Sequence, residues 1–343
     1  MKAVRIHEHG GAEKLVYEEV SDPKPGPLEV LVKVKACAMN HLDIWVRNGV
    51  PGMKANLPHI LGCDIAGVVE EVGSSVTGVS KGDETLVHPG VSCGVCDYCL
   101  KGMDSACRNY TILGGWHLDG GYAELVKVPG RNVLPKPKGI DFVQTAALPL
   151  TFLTAWHMLV TRAGLKHGET VLVLSAGSGV GVAAVQVAKM IGARVITTAS
   201  ADWKLEKVKA LGADETINYK KTDWLEEVKR LTGKAGVDVV FEHVGPETFE
   251  KSVRALKTYG RLVTCGATSG PSINLDLRFL FSKQLNLMGS YMGGLFEMKE
   301  ALRFINEGKL KPVVDSTFPL KDAAKAHARL ESREIFGKVV ITP

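Results

Sequence analysis

The second half of the sequence alternates between short apolar strands and amphipathic helices. The pattern is clearest at 170–200, where TVLVLS has the character of a strand, GVGVAAVQVAKMIGA that of a helix ending at Gly192, and RVITTAS that of a second strand. Similar segments follow as far as residue 291. Because strands connected through helices pair in parallel, residues 150–291 are predicted to form a doubly wound α/β domain.

The first part of the chain, residues 1–149, instead contains short strands separated by Gly, Pro and Asp. Its segment EVLVKVKA puts Val30, Val32 and Val34 on one face of a strand and the lysines on the other. Many short strands with turn residues between them favour a partly closed β-barrel. The tail, 292–343, either caps the parallel sheet or returns to the first domain, and we expect the return.

The net charge and the placement of the cysteines indicate which kinds of molecule the protein binds. The chain has 42 basic and 37 acidic residues, a net charge of +5, with no long basic run, so nucleic acid is not an expected partner. No stretch is apolar for long enough to span a bilayer, and the start, MKAVRIHEHGG, lacks the apolar part of a secretory signal. Four of the seven cysteines are clustered, which indicates a metal site rather than a disulfide framework. We therefore expect a cytoplasmic protein that acts on a small molecule and does not bind a membrane.

A glycine-rich turn joins the first predicted parallel strand to its helix. The sequence is VLVLSAGSGVGVAAVQVAK, and glycines at such a turn let the backbone approach a pyrophosphate at the helix N-terminus. Gly179, Gly181 and Ala184 fit the pattern G-x-G-x-x-A, although Ser178 and Gly181 are alternative phosphate-facing positions. A turn that only allows close packing is the simpler explanation, but the flanking strand and helix favour dinucleotide binding. The expected binding residues of the turn are Ser178, Gly179, Val180 and Gly181.

The end of the second parallel strand predicts which dinucleotide binds. An acidic residue there accepts hydrogen bonds from the ribose of NAD, but this strand ends with Ala199 and Ser200, and Lys204 follows. A small residue, a hydroxyl and a cation suit a 2′-phosphate, so we favour NADP(H), with NAD(H) as the alternative. Asp202 argues against this choice, but it lies beyond the strand and is expected to cap the next helix. Lys204 has its own simpler explanation, that of a solvated helix lysine.

The stretch SCGVCDYCLKGMDSAC has the spacing C-x2-C-x2-C-x7-C. Four thiolates complete a tetrahedral shell around zinc and leave no position for water or substrate, so the expected ion is one structural Zn²⁺ per chain. An iron–sulfur cluster would favour a shorter last spacing followed by proline, whereas Arg108 follows here. The expected ligands are Cys93, Cys96, Cys99 and Cys107.

These features together resemble the medium-chain dehydrogenase/reductase superfamily, which includes zinc alcohol dehydrogenases and quinone oxidoreductases. The similarity covers nearly the whole chain, in the stretches NHLD, LGCDIAGVVEEVG, the cysteine cluster, GGYAE, SAGSGVG, LGAD and GKVVITP. The resemblance implies a GroES-like catalytic domain followed by a Rossmann domain, with hydride transfer in the cleft between them. It also implies a homodimer or a homotetramer.

The resemblance directs attention to a second zinc that alcohol dehydrogenases of the family use in catalysis. Its three ligand positions correspond here to Asn40, Cys63 and Leu150. Asn is a poor zinc ligand and Leu is none, so we expect the catalytic zinc to be lost. A relocated metal on His41, Cys63 and Asp64 is the alternative.

A family member without that metal is expected to reduce an acceptor that is already electrophilic: a quinone, an enone or a bulky ketone. We place Asn40, His41 and Asp64 in the catalytic site. The Asn40 amide is a candidate hydrogen-bond donor to the developing oxyanion, and His41 relays a proton or contacts the cofactor. The alternatives are an alcohol dehydrogenase with an unusual or vacant metal site and, in another class, a non-catalytic dinucleotide-binding or RNA-binding protein.

Four further cofactor contacts follow from positions that match the family. Thr154 is expected near the nicotinamide and Tyr219 near the adenosine. Gly266 is expected at the carboxyl end of a strand that lines the cleft, and Lys338 near the pyrophosphate. Each also has a simpler explanation. Thr154 is then a helix hydroxyl and Tyr219 a surface aromatic residue. Gly266 is then part of a plain turn, and Lys338 is a surface cation.

Overall fold

The computed structural model describes residues 1–343, which divide into two compact units. Unit 1 comprises Met1–Leu150, Gly293–Asn306 and Pro312–Pro343, and unit 2 comprises Thr151–Met292 and Glu307–Lys311. The expected boundaries, after residues 149 and 291, each differ from these by one residue. The short segment Glu307–Lys311, which was expected in the first domain, belongs to unit 2.

Strands dominate unit 1, and strands and helices alternate in unit 2. The strands are β1 (Lys2–Ile6), β2 (Leu15–Glu19), β3 (Glu29–Ala38), β4 (His59–Ile60), β5 (Asp64–Val72), β6 (Glu84–Val87), β7 (Gly90–Val91), β8 (Thr111–Ile112), β9 (Leu125–Pro129), β10 (Val133–Pro135), β11 (Thr170–Val173), β12 (Arg194–Ala199), β13 (Glu215–Asn218), β14 (Val237–Glu242), β15 (Leu256–Thr264), β16 (Asn286–Gly289), β17 (Val314–Pro319) and β18 (Lys338–Thr342). The α-helices are α1 (His41–Asn48), α2 (Asp97–Leu100), α3 (Phe142–Ala146), α4 (Pro149–Trp156), α5 (Gly179–Ile191), α6 (Asp202–Ala210), α7 (Trp224–Leu231), α8 (Pro246–Ala255), α9 (Leu277–Ser282), α10 (Leu295–Asn306) and α11 (Ala323–Glu331). No helix has the length and apolar character that crossing a membrane requires.

The main sheet of unit 1 has the strand order β10-β6-β5-β3-β18-β17, and β9 also pairs with β3. The predicted alternation in β3 is confirmed, since Val30, Val32 and Val34 are buried and Lys33 is exposed. Strand β18, close to the end of the chain, pairs antiparallel with β3 in the middle of this sheet. The tail therefore supplies a central strand of the first unit.

The sheet of unit 2 has the order β13-β12-β11-β14-β15-β16, and every pairing is parallel. The predicted doubly wound α/β domain is confirmed. Helix α5 ends at Ile191 with Gly192 as its cap, as expected. The order of the strands reverses between β11 and β14, and ligands of such sheets bind at the carboxyl ends of the strands beside that reversal.

Candidate functional site

The turn between β11 and α5 forms a cradle at this reversal. Ser178 caps α5, because its Oγ accepts a hydrogen bond of 3.1 Å from the N–H of Gly181. A Cβ on Gly181 would lie 2.7 Å from both the carbonyl oxygen of Ser175 and the Cα of Ala176, so only glycine fits. The N–H groups of Gly179 and Val180 have no acceptor inside the helix and can bind an anion there. The cradle therefore has the form that a dinucleotide pyrophosphate requires, and Gly181 is needed there for close packing.

The side chains expected at the adenosine end follow the next two strands. Ser200 comes directly after β12, and Tyr219 comes directly after β13, where its N–H donates to the Ala199 carbonyl at 3.2 Å. The Lys204 side chain is buried, with its Nζ 5.3 Å from the centre of the Trp203 ring, so it is not a solvated helix lysine. A hydroxyl and an exposed aromatic ring thus follow the carboxyl ends of neighbouring strands, and a cation lies in the first turn of α6.

The expectation for Asp202 was wrong in its detail. Ala201 is the N-cap residue of α6, and Asp202 is the first residue inside the helix. Its carboxylate accepts hydrogen bonds from Lys221 at 2.5 Å and from Asn218 at 2.7 Å, and these contacts lower its pKa. Asn218 at the end of β13 and Lys221 after it therefore bind this carboxylate, and Lys221 gives it a full opposite charge, whereas a helix N-terminus offers a partial one.

Sequence reasoning missed His243, which lies at the carboxyl end of β14. Its ring is almost completely buried, and its Nε2 donates to the Leu174 carbonyl at 3.0 Å, which fixes the tautomer. Burial lowers the pKa of His243, so the ring is neutral at pH 7. A Cβ on Gly266 would lie 2.9 Å from the His243 carbonyl oxygen, so the close approach of these two backbones requires a glycine at this position. The signal was the polar pair EH directly after the apolar run VVF of β14. Thr154 is likewise buried, within α4.

Unit 1 contains a buried polar cluster built from Asn40, Asp64 and Lys338. The sheet register creates it, because Ala38 of β3 pairs both with Asp64 on β5 and with Val340 on β18. Lys338 Nζ lies 2.9 Å from Asp64 Oδ2 and 2.5 Å from Asn40 Oδ1. Lys338 is 4% exposed and Asp64 is 0% exposed, so solvent hardly screens this ion pair.

The remaining polar atoms of this cluster are also engaged. Asn40 Nδ2 donates to Asp64 Oδ2 at 2.9 Å and to Cys63 Sγ at 3.4 Å. Asp64 Oδ1 accepts from the backbone N–H of Leu150 at 2.8 Å. Both hydrogens of the Asn40 amide and both oxygens of Asp64 therefore have partners, whereas the Lys338 ammonium uses two of its three N–H groups.

Asp43 holds the backbone around this cluster. Its Oδ2 accepts from the N–H of Asn40 at 2.7 Å and from the Tyr122 hydroxyl at 3.2 Å, and its Oδ1 accepts from the N–H of Gly62 at 3.1 Å. Burial raises the pKa of Asp43 to about 6. These contacts fit a supporting role for Asp43, rather than that of a base.

The geometry of unit 1 bears on two of the expectations. Lys338, which was expected at a pyrophosphate, is paired with Asp64 and Asn40. The alternative metal site required Asp64 together with His41 and Cys63, but Asp64 binds the ammonium instead. His41 is the half-buried first residue of α1, with its ring 6.5 Å from that of Trp45.

The four clustered cysteines fold into one group. The sulfur atoms of Cys93, Cys96, Cys99 and Cys107 all lie within 4.8 Å of one another. The N–H of Cys99 lowers the pKa of the Cys96 thiol to about 6, and other backbone N–H groups lower the pKa of Cys93. Burial raises the pKa of Cys99 to about 11, so the backbone favours the thiolate at two of the four sulfurs. Asp104 attaches this lobe to the start of α10, since its Oδ2 accepts from the N–H of Leu295 at 2.9 Å. Four converging sulfurs fit a structural zinc ion.

Comparison with known proteins agrees with both units. Residues 26–138 match the family model "Alcohol dehydrogenase GroES-like domain", and residues 179–307 match "Zinc-binding dehydrogenase". A solved structure described as an NAD-dependent alcohol dehydrogenase is 49% identical, covers 100% of both chains and superimposes with a TM-score of 0.95. The chain belongs to the medium-chain dehydrogenase/reductase superfamily. The resemblance that the sequence suggested is confirmed.

Relatives within this superfamily carry two kinds of name. An NAD-dependent alcohol dehydrogenase of Saccharolobus solfataricus is 34% identical and covers 100% of both chains. A quinone oxidoreductase of Rattus norvegicus is 31% identical and covers 99% of this chain and 97% of its own. The protein is therefore a medium-chain oxidoreductase, as expected.

Proposed function

We propose that the protein is an NADPH-dependent reductase of activated acceptors, namely quinones, enones or bulky ketones, that works without a catalytic zinc. The observation that carries the proposal is the buried ammonium of Lys338 on Asn40 and Asp64. A cation of the protein itself neutralises the Asp64 carboxylate, beside Asn40 and Cys63, two of the three positions that correspond to the ligands of the family's catalytic metal.

The donor set of the cluster supports this proposal. Leu150 offers only its backbone N–H, which already donates to Asp64, and the side-chain oxygen of Asn40 already accepts from Lys338. A metal on the alternative set of His41, Cys63 and Asp64 would have to displace the ammonium from a fully buried carboxylate, and removing one partner of such a pair costs about 3–5 kcal/mol. The residues present therefore fit a lysine better than a three-ligand zinc site.

The cradle of unit 2 would hold the cofactor, which when bound supplies a hydride. The N–H groups of Gly179 and Val180 take the pyrophosphate, and Ser200 and Lys204 take the 2′-phosphate of the adenosine. NADPH is favoured because no carboxylate ends β12, and the nearby Asp202 is engaged by Lys221. We also propose that Tyr219 contacts the adenosine and that Thr154 contacts the nicotinamide. Gly266 would contact the cofactor from the carboxyl end of its strand.

One observation favours a second candidate, an alcohol dehydrogenase that uses NAD(H). The 49% identical structure is described as an NAD-dependent alcohol dehydrogenase. On this alternative, a metal bound near Asn40 and Cys63 would polarise an alcohol oxygen, and simple alcohols would be oxidised.

An acceptor screen separates the two candidates. We expect turnover of NADPH with a quinone or a cyclic enone, little turnover with NADH, and no oxidation of primary alcohols. Metal analysis should give one zinc per chain, and added zinc should not create alcohol oxidation. Two zinc ions per chain, or alcohol oxidation that follows zinc content, would establish the alternative.

The cofactor preference has its own test in Lys204→Ala. We expect this change to weaken NADPH binding by about tenfold, which corresponds to the loss of one charged contact, and to leave NADH binding nearly unchanged. The matched control is Lys220→Ala, an exposed lysine after β13. Equal losses for the two cofactors would contradict the phosphate role.

We further propose that the chain assembles as a homodimer or a homotetramer. Strand β16 is the edge strand of the unit 2 sheet, and the exposed ring of Tyr291 follows it. Light scattering on the purified protein measures the assembly directly, and a monomeric mass would refute this part of the proposal.

A further inference from the structure

We propose that Lys338 is a catalytic residue, whose third ammonium N–H binds the carbonyl oxygen of the acceptor and stabilises the negative charge that forms there. The inference rests on the proposed function and names the group that performs the electrostatic part of it. It assigns to Lys338 a contact with the substrate rather than with the cofactor pyrophosphate.

The first support is the hydrogen-bond count. An ammonium has three N–H donors, and Lys338 gives two of them, to Asn40 Oδ1 at 2.5 Å and to Asp64 Oδ2 at 2.9 Å. No third protein acceptor contacts this group. Asn40, the donor that the sequence suggested, has both amide hydrogens engaged by Asp64 and Cys63. Lys338 is therefore the member of the cluster with a donor to spare.

The second support is the fixed position of this ammonium. The backbone N–H of Lys338 donates to the Val313 carbonyl at 2.9 Å, and the preceding Gly337 has φ of +95°. A Cβ on Gly337 would lie 2.4 Å from that same carbonyl oxygen, so the chain requires glycine here. With the backbone held by β18 and the head held by two acceptors, the ammonium needs little reorganisation during reaction, which is what makes an electrostatic group effective.

The third support is burial. Asp64 is fully buried beneath the ammonium, whereas Lys338 and Asn40 keep a little exposed surface. The ion pair is thus shielded from water, and charge interactions are stronger at such a place than in water.

The reaction step balances with this group. Hydride addition forms a C–H bond at the electrophilic carbon of the acceptor, and the π electron pair moves to the carbonyl oxygen. A bound NADPH would supply this hydride, with a C–H bond of its dihydronicotinamide broken, and the acceptor would be reduced by two electrons. The oxyanion, held by Lys338, then takes a proton from water. Asp64 and Asn40 act as positioning residues, because they hold the ammonium without contacting the acceptor.

The test compares wild type with Lys338→Met, which keeps most of the apolar stem. We expect kcat with an enone or ketone to fall by about 100- to 1,000-fold, as for loss of one oxyanion donor. The dissociation constant of NADPH, measured by fluorescence, should stay within about threefold, because the change acts on the transition state. A weaker affinity for NADPH with unchanged kcat at saturation would overturn the inference and restore the pyrophosphate role.

A second variant covers the case in which an unpaired Asp64 prevents folding. Lys338→Met combined with Asp64→Asn removes both charges, keeps an oxygen for the Leu150 N–H and should show the same loss of kcat. We would measure kcat/KM with a series of aryl enones whose ring substituents differ in electron withdrawal. The dependence of kcat/KM on electron withdrawal should be steeper in the variants, because the substrate alone must then carry the developing negative charge. An unchanged dependence would indicate a purely structural role and refute the inference. Wild type without turnover of any activated acceptor would instead overturn the proposed function and this inference with it.

Discussion

Replacing Asp64 measures how strongly the buried ion pair stabilises unit 1. In Asp64→Ala, the Lys338 ammonium loses the carboxylate that lies 2.9 Å away, and the N–H of Leu150 loses an acceptor at 2.8 Å. Because the lost carboxylate is fully buried, water does not simply take its place. Removing one partner of a buried pair costs about 3–5 kcal/mol, and we expect the free energy of unfolding of unit 1 to fall by this amount.

The matched control is Asp64→Asn, which keeps the shape of the side chain and an oxygen for the N–H of Leu150. We expect a smaller loss for it than for the alanine variant. Thermal unfolding followed by circular dichroism is the assay, and since 1 kcal/mol moves the Tm of a domain of 150–250 residues by about 2–4 °C, Asp64→Ala should lower Tm by on the order of 10 °C. A Tm within about 2 °C of wild type would show that the pair contributes little and would refute the reasoning.

Three further predictions concern the cofactor turn, the zinc lobe and pH. Gly181→Ala should weaken NADPH binding by at least about tenfold in a fluorescence titration, because the new Cβ would meet Ser175 O at 2.7 Å. Cys99→Ser should lower the zinc content measured by mass spectrometry, because one of four ligands is lost. Burial, with Arg47 beside the ring, lowers the pKa of His327 to about 3. The free energy of unfolding of wild type should therefore decrease as pH falls from about 6.5 towards 3. In His327→Gln, the slope of this free energy against pH should be smaller by about 1.4 kcal/mol per pH unit.

Each of these predictions has a control or a contrary outcome. Gly289→Ala adds a Cβ that meets nothing within 4 Å and should leave NADPH binding unchanged. Cys265→Ser changes a cysteine outside the zinc lobe and should keep the zinc content of wild type. For His327, the sign follows from a folded-state pKa below the unfolded value, which makes the unfolded chain the better proton binder between the two values. Equal slopes for wild type and His327→Gln would contradict it.

Local signals allowed much of the fold to be predicted. Alternating strand and helix patterns located β11, α5 and β12 within a residue or two, and Gly192 marked the end of α5 as expected. The cysteine group was predictable for the same reason, since its four cysteines lie within sixteen consecutive positions. In each case the determining contacts join residues that are close in the sequence.

The partners of Lys338 could not be predicted in this way. Lys338 lies 274 positions from Asp64, and only the pairing of β18 and β5 on either side of β3 brings them together. Asp202 shows the same limit at shorter range, because Lys221 and Asn218 approach it only after β13 has paired with β12. Long-range sheet pairing decides both contacts, and side-chain patterns along the chain do not encode it.

The two cationic sites proposed for unit 1 differ in what they leave open. A zinc ion held by four cysteines has a complete tetrahedral shell, so it contributes no open position to chemistry. The ammonium of Lys338 keeps one donor after binding Asn40 and Asp64. A single ammonium carries half the charge of a zinc ion and polarises a carbonyl less strongly. It therefore suits acceptors whose own conjugation already disperses the developing charge, which is why we expect quinones and enones to be reduced and simple alcohols to be left unoxidised.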